Sequence, residues 1–156
     1  MGKDKIKKEE LANVVYQINC KDCDHSYVGQ IKRKLKTRLK EHINDLKKVN
    51  SYSVISNHRS DTNHVMDWDN AKILDSERSY YKRLVAEMIH IKMQKNGLNK
   101  QSDTERFPEL YLPLLEKYNS SVSTFNSFSF LSPFSYPSFF LFLNINRPAL
   151  VAFVFF

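Results

Sequence analysis

Near the start of this chain, β-branched and aromatic residues gather in two short runs, Val14-Val15-Tyr16 with Ile18, and Tyr27-Val28. Such residues fit a pleated, half-buried surface, so each run predicts a strand. The polar stretch Asn19 to Asp24 separates them and reads as a turn, which makes the pair a β-hairpin. Gly29 is expected to close the second strand, where a Cβ would block a turn or a close backbone approach. The periodicity then changes. From Arg33 to Val49, Leu35, Leu39, Ile43 and Leu46 recur at helical spacing on one face, with Lys36, Lys40 and Lys47 on the other. Ser51 to His58 reads as a short helix and Arg59 to Asn63 as a loop. Trp68 to Leu74 reads as a third strand. Asp75-Ser76-Glu77 has the chemistry of a helix start, a capping side chain followed by an acid. That helix runs through Tyr81, Leu84, Val85, Met88 and Ile91 to about Lys95, with Gly97 as its stop. The order β-β-α-α-β-α predicts an α+β fold, a small three-stranded antiparallel sheet flanked by helices. There are no internal repeats.

Composition divides the chain. Asn119 to Phe156 holds ten of the eleven phenylalanines and one charged side chain, Arg147. Phe139 to Phe156 is apolar, but Asn144, Asn146, Arg147 and Pro148 interrupt it. Neither half reaches the ~20 residues of a spanning helix. We therefore read 1–11 as a charged lead-in, 12–112 as the folded domain and 113–156 as a low-complexity apolar tail outside the fold, with no membrane association expected. The 156 residues carry a net charge of +7. An excess of lysine and arginine points to a polyanionic partner, because basic side chains displace counterions from a phosphate backbone. A basic protein without a nucleic-acid role stays open on charge alone. The first ten residues are charged and have no apolar core, so they are no signal peptide. Ile6 stands where myristoylation wants Ser or Thr. An intracellular, reducing setting follows, and there two cysteines favour metal binding or redox chemistry over a disulfide.

Two constellations carry chemistry. Thiolate and imidazole are good zinc ligands, and Cys20, Cys23, His58 and His64 together make a closed Cys₂His₂ set. The gap between the halves is far longer than in an ordinary zinc finger. Two buried thiols and two surface histidines are the plain alternative, and His25 is a rival ligand. The second constellation is Tyr16, Tyr27, Arg38, His42 and Glu87. Arg38 and His42 lie four apart on one helix face, flanking the leucine stripe and so at the rim of the core. Glu87 flanks Leu84, Met88 and Ile91. A partly buried acid needs a cation or hydrogen bonds; a divalent metal would serve, and the plain alternative is a pairing with Lys82, Arg83 or Lys92.

Val14-Val15-Tyr16, Tyr27-Val28-Gly29 and Leu35-Lys36-Thr37-Arg38-Leu39-Lys40-Glu41-His42 together resemble the GIY-YIG nuclease superfamily. The cysteines within the hairpin, Asn57-His58, Asn63-His64-Val65-Met66-Asp67-Trp68 and Leu84-Val85-Ala86-Glu87 make the chain most similar to the endonuclease domain of Penelope-like retroelements, over roughly residues 12 to 112. The resemblance implies a metal-dependent endonuclease that nicks DNA. It implies that Tyr16 helps activate the attacking water, Tyr27 positions the scissile group and Arg38 stabilises phosphate charge, with His42 one turn on. Glu87 would hold one Mg²⁺ or Mn²⁺, and Asn99 matches a late asparagine of the family site. Cys20, Cys23, His58 and His64 would hold a structural zinc ion. DNA is the implied partner, with a reverse transcriptase region in a full-length ancestor, and the implied location is nuclear. Three departures stand out. Val14 replaces a glycine, Val28 replaces isoleucine, and Gln30-Ile31-Lys32 stands where related domains carry an acid and a glycine. Two readings therefore remain beside the enzyme: a non-catalytic, zinc-stabilised nucleic-acid-binding module, and a degenerate inactive fragment. A redox role lacks the βαβ setting it needs.

Overall fold

The structure, a computed structural model, describes residues 7–48, 52–117 and 120. The predicted ends at Val49 and Ser51 and the apolar tail beyond residue 120 lie outside the described residues. The chain divides after Phe107 into two units. The described part of the second is a 3-10 turn, Glu109–Tyr111, followed by helical residues 112–117.

The first unit is the expected α+β arrangement. Strand β1 (Val14–Asn19) lies between β2 (Ser26–Ile31) and β3 (Lys72–Ser76), antiparallel to both. Helices α1 (Leu35–Asp45), α2 (Val54–Thr62) and α3 (Tyr80–Met93) complete it. A central strand is covered on both faces and reads as a continuous apolar run, which is why Val14, Val15 and Tyr16 are all fully buried. Fully burying a Val or Ile contributes roughly 1.5–3 kcal/mol, more than strand propensity can. Burial of β1 therefore sets the fold. Side chains alternate between faces. Val14, Tyr16, Ile18 and Ile31 pack with Leu35 and Leu39 of α1, Ile55 of α2, Met66 and Ala71. Val15, Gln17, Val28 and Gln30 point to the other face, against which α3 lies, with Arg83 bonded to Gln30.

Several boundaries differ from expectation. The third strand starts at Lys72, not Trp68, because Asn70 Nδ2 bonds both carboxylate oxygens of Asp67 and holds 67–70 in a turn. Asp75 and Ser76 stay in that strand, opposite Val15 and Val14. The helix begins instead at Tyr80, after Glu77 accepts the Ser79 N–H at 2.8 Å. Arg59 to Thr62, expected as loop, continue α2 to its stop at Asn63, which takes the left-handed conformation (φ 58°) that ends many helices. Gly97 does not stop α3. It bridges Ser26 on the outer edge of β2, and α3 ends at Met93. On α1 the buried stripe is Leu35, Leu39 and His42, with Ile43 only half-buried, since seven residues complete two turns. The described end of the lead-in, residues 7–11, is tied to α1. Leu35 N–H bonds the Leu11 carbonyl at 2.8 Å, and Lys34 and Lys36 hold the Glu10 carboxyl down to about 2.

Gly29 lies inside β2 rather than at its end. It pairs with Tyr16, and a Cβ there would sit 2.8 Å from Tyr16 Oη and 2.9 Å from Tyr27 Cε1. Its φ is not positive, so the glycine is needed for space alone. Tyr16 is fully buried and cannot swing away. Gly29→Ala is expected to cost about 1–3 kcal/mol in urea unfolding, as overpacking does. A variant as stable as the parent would show that the two phenols have room to move.

Candidate functional site

Tyr16 reaches the α1 side of the sheet fully buried, and a buried phenol needs a partner for its hydroxyl. His42 supplies it, with Nε2 2.9 Å from Tyr16 Oη. Tyr27, two residues from Gly29 on the same face, lies against the His42 ring edge-on at 5.3 Å between centroids. Arg38, one turn before His42, lies beside the Tyr16 and Tyr27 hydroxyls, where its charge opposes the rise that burial causes, and pairs with Glu41 at 3.2 Å. His42 is 5% exposed, deeper than the rim position expected from its place on the helix. Burial, and then the neighbouring Arg38 charge, lower its pKa to about 4, so the imidazole is neutral at pH 7. Burial also pushes the Tyr16 and Tyr27 hydroxyls above the usual phenol range.

Glu87 arrives by a different route. Helix α3 covers the face opposite α1, so this carboxylate does not meet Tyr16 across one open face. It approaches the free edge of β2. Val28 bonds Asn99 there, and alternation turns the Gln30 backbone N–H outward as well. Both that N–H and the Gln30 side-chain amide lie close enough to Glu87 to favour its charged form. From this edge the Glu87 charge acts on Tyr16, Tyr27 and Arg38. Burial raises the Glu87 carboxyl to about 6, against the Gln30 groups that lower it. Asn99 lies on the same edge. Its Oδ1 accepts the Val28 N–H at 3.0 Å and its Nδ2 donates to the Val28 carbonyl at 2.8 Å. The amide is spent on holding β2 between Tyr27 and Gly29.

The four ligand atoms of Cys20, Cys23, His58 and His64 lie within 4.8 Å of one another, so this cluster can bind a metal ion. Cys20 ends the hairpin strand, where it bridges Met66, and Cys23 lies in the loop. His58 comes from α2 and His64 follows the Asn63 stop. His58 Nε2 is 3.5 Å from Cys20 Sγ and 3.7 Å from Cys23 Sγ. Tetrahedral bonds of roughly 2.3 Å to sulfur and 2.0–2.1 Å to nitrogen place those atoms about 3.5 Å apart along an edge. His64 Nδ1 is buried without a hydrogen-bond partner, as an atom reserved for an ion would be. The Asp22 N–H points at Cys20 Sγ at 3.4 Å, and Asp22 Oδ2 accepts the Val65 N–H at 2.8 Å. The rival, His25, lies outside the four, with Nδ1 3.4 Å from Cys23 Sγ.

The structure thus groups Tyr16, Tyr27, Arg38 and His42, sets Glu87 and Asn99 along the adjoining strand edge, and gathers the Cys/His set separately. Two participants were not singled out from the sequence. Trp68 stacks on His42 at 6.3 Å between centroids and 27° between planes. As the one tryptophan, placed four residues after His64, it offered a signal. Gln30 offered none except its departure from the related pattern. A polar cleft of about 680 Å³ runs beside the cysteine loop and residues 93–96, and none of the candidate catalytic side chains lines it. No protein-family model, curated protein or solved structure matches the chain.

Two measurements test this geometry. Titrated with Co²⁺, the chain is expected to bind one ion with thiolate-to-metal absorption. Cys20→Ser and His58→Ala should lose that absorption, and chelation should lower Tm. Unchanged absorption in both variants would exclude these ligands. The second is pH dependence. A raised carboxyl pKa stabilises the fold below about 4.5, and that contribution is lost as pH rises through about 6, on the order of 2 kcal/mol. His42 acts oppositely, losing its contribution as pH falls from 6.5 through about 4. Without Mg²⁺ or Mn²⁺, Glu87→Gln is expected to gain stability relative to the parent across pH 4.5–6.5 by that order. A difference that does not vary with pH would mean that the carboxyl is not desolvated.

Proposed function

We propose that the chain is a metal-dependent endonuclease of GIY-YIG type that hydrolyses DNA phosphodiester bonds, of the kind found in Penelope-like retroelements. The observation that supports it most is the pairing of Tyr16 with a neutral, buried His42, beside Arg38 and within the field of a desolvated Glu87. Hydrolysis of a phosphodiester needs a base for water, a cation for the developing charge and help for the leaving oxygen.

In this reading Tyr16 acts as a neutral phenol, since burial disfavours a standing phenolate. Its oxygen accepts a proton from the attacking water as its own proton passes to His42 Nε2. A bound phosphate raises the proton affinity of that imidazole. Arg38, always charged, binds the non-bridging oxygens, and Tyr27 orients the scissile group. Glu87 would hold Mg²⁺ or Mn²⁺, an ion that neutralises charge on the phosphate and the leaving oxygen when bound. Asn99 acts on Tyr27 through the Val28 backbone. The Cys20, Cys23, His58 and His64 set suits zinc. Four protein ligands leave no open position for water, so that ion would be structural.

Supercoiled plasmid incubated with Mg²⁺ or Mn²⁺ is expected to be nicked. Glu87→Ala and Arg38→Ala should each lower the rate by about 10²–10³-fold, the scale of losing one charge-stabilising group. Equal nicking by the parent and Glu87→Ala would discard the mechanism. The Cys/His cluster and the net charge of +7 favour one other reading, a zinc-tied module that binds nucleic acid without cutting it. Retention of DNA with no cleavage under either ion would select it.

A further inference from the structure

Arg83 is the largest fully buried side chain, 2% exposed, and the proposed reaction does not use it. A buried guanidinium normally sits against a carboxylate. Among the described residues no carboxylate lies within ion-pair distance of Arg83. Its Nε donates to Gln30 Oε1 at 2.7 Å, and its Nη1 donates to the carbonyls of Glu77 at 2.8 Å and Arg78 at 3.4 Å. Glu87 lies one turn further along α3, at the i,i+4 spacing that suits a direct ion pair. Gln30 stands between the two instead. Its oxygen is held by Arg83, which leaves its NH₂ end facing Glu87, and its backbone N–H reaches the same carboxylate.

We propose that Gln30 and Arg83 are positioning residues that aim the Glu87 carboxylate and keep its outer lone pairs free for a divalent cation. The inference rests on the proposed role of Glu87. An amide is symmetric enough to flip, and only a fixed donor on its oxygen decides which end faces the acid. Arg83 is that donor. A direct Arg83–Glu87 fork would occupy both carboxylate oxygens and neutralise the acid. Spending the guanidinium on two carbonyls and an amide oxygen avoids this. Gln30 offers one backbone and one side-chain donor, which fix the carboxylate at two points without adding charge. Outer-shell partners of this kind are typically worth 10–100-fold in metal affinity.

The test uses the full chain with its Cys/His cluster filled by Zn²⁺, so that added Mn²⁺ reports on Glu87. Gln30→Asn keeps the amide but is one methylene too short to span Arg83 and Glu87. It is expected to weaken Mn²⁺ binding about tenfold and to raise the Mn²⁺ needed for nicking, with the fold unchanged by circular dichroism. Undiminished Mn²⁺ affinity in the folded variant overturns the proposal. A second measurement needs neither metal nor catalysis. The side-chain NH₂ of Gln30 should exchange slowly with solvent by ¹⁵N NMR, and that protection should fall in Glu87→Ala. Protection that does not respond to Glu87→Ala overturns the positioning role. A parent chain that binds no Mn²⁺ while showing the responsive amide overturns the metal role of Glu87 and leaves the positioning intact.

Discussion

The hydroxyl of Tyr16 sets the terms for the rest of the domain. β1 is the middle strand, and its apolar run must be covered on both sides. A tyrosine in that run brings a polar atom into an apolar core. Its needs fix its neighbours. Gly29 clears the space across the strand pair, and His42 supplies the hydrogen bond. α1 must then lie with its Leu35–Leu39–His42 stripe inward, which brings Arg38 to the two phenols.

The free edge of β2 is the second constraint. An edge strand leaves alternate N–H and C=O groups unpaired and open to other chains. Here the outward groups of Ser26 and Val28 are met by the same unit, and the Gln30 N–H faces Glu87. Ser26 is bonded by Asn96 and Leu98, and Val28 by the Asn99 amide. Protection of the edge and placement of the acid are one device. It also brings a charge from the α3 side within the influence of Tyr16, Tyr27 and Arg38, since the acid comes round the edge instead of through the sheet.

The hairpin and α1 were legible because their signals are local. Two β-branched runs, a polar turn and a leucine repeat specify them with little help from the rest of the chain. The Cys/His grouping was legible as chemistry but not as geometry, since nothing local says that α2 will fold back over the cysteine loop. The start of β3 and of α3 was misplaced by a few residues. In both cases side chains of acids, Asp67 and Glu77, closed turns that propensity alone does not show. His42 was placed at a rim because a neutral histidine does not look apolar, and only the partner on β1 reveals why it is inside. Gln30 and Arg83 were invisible as a pair, being 53 residues apart and meaningful only through a third residue.

The order of these groups along the chain has a consequence of its own. By residue 42 the phenols, the guanidinium and the imidazole have all been made, and by residue 64 the thiols and both histidines of the cluster. The acid arrives last, at residue 87, and Asn99, which pins the strand edge, later still. If the proposed function holds, a nascent chain would carry the groups for gripping phosphate, and the four ligands of its metal cluster, well before it gains the carboxylate. Any message cut short between codons 64 and 87 would encode a fragment carrying the phenols, guanidinium, imidazole and Cys/His cluster without the acid.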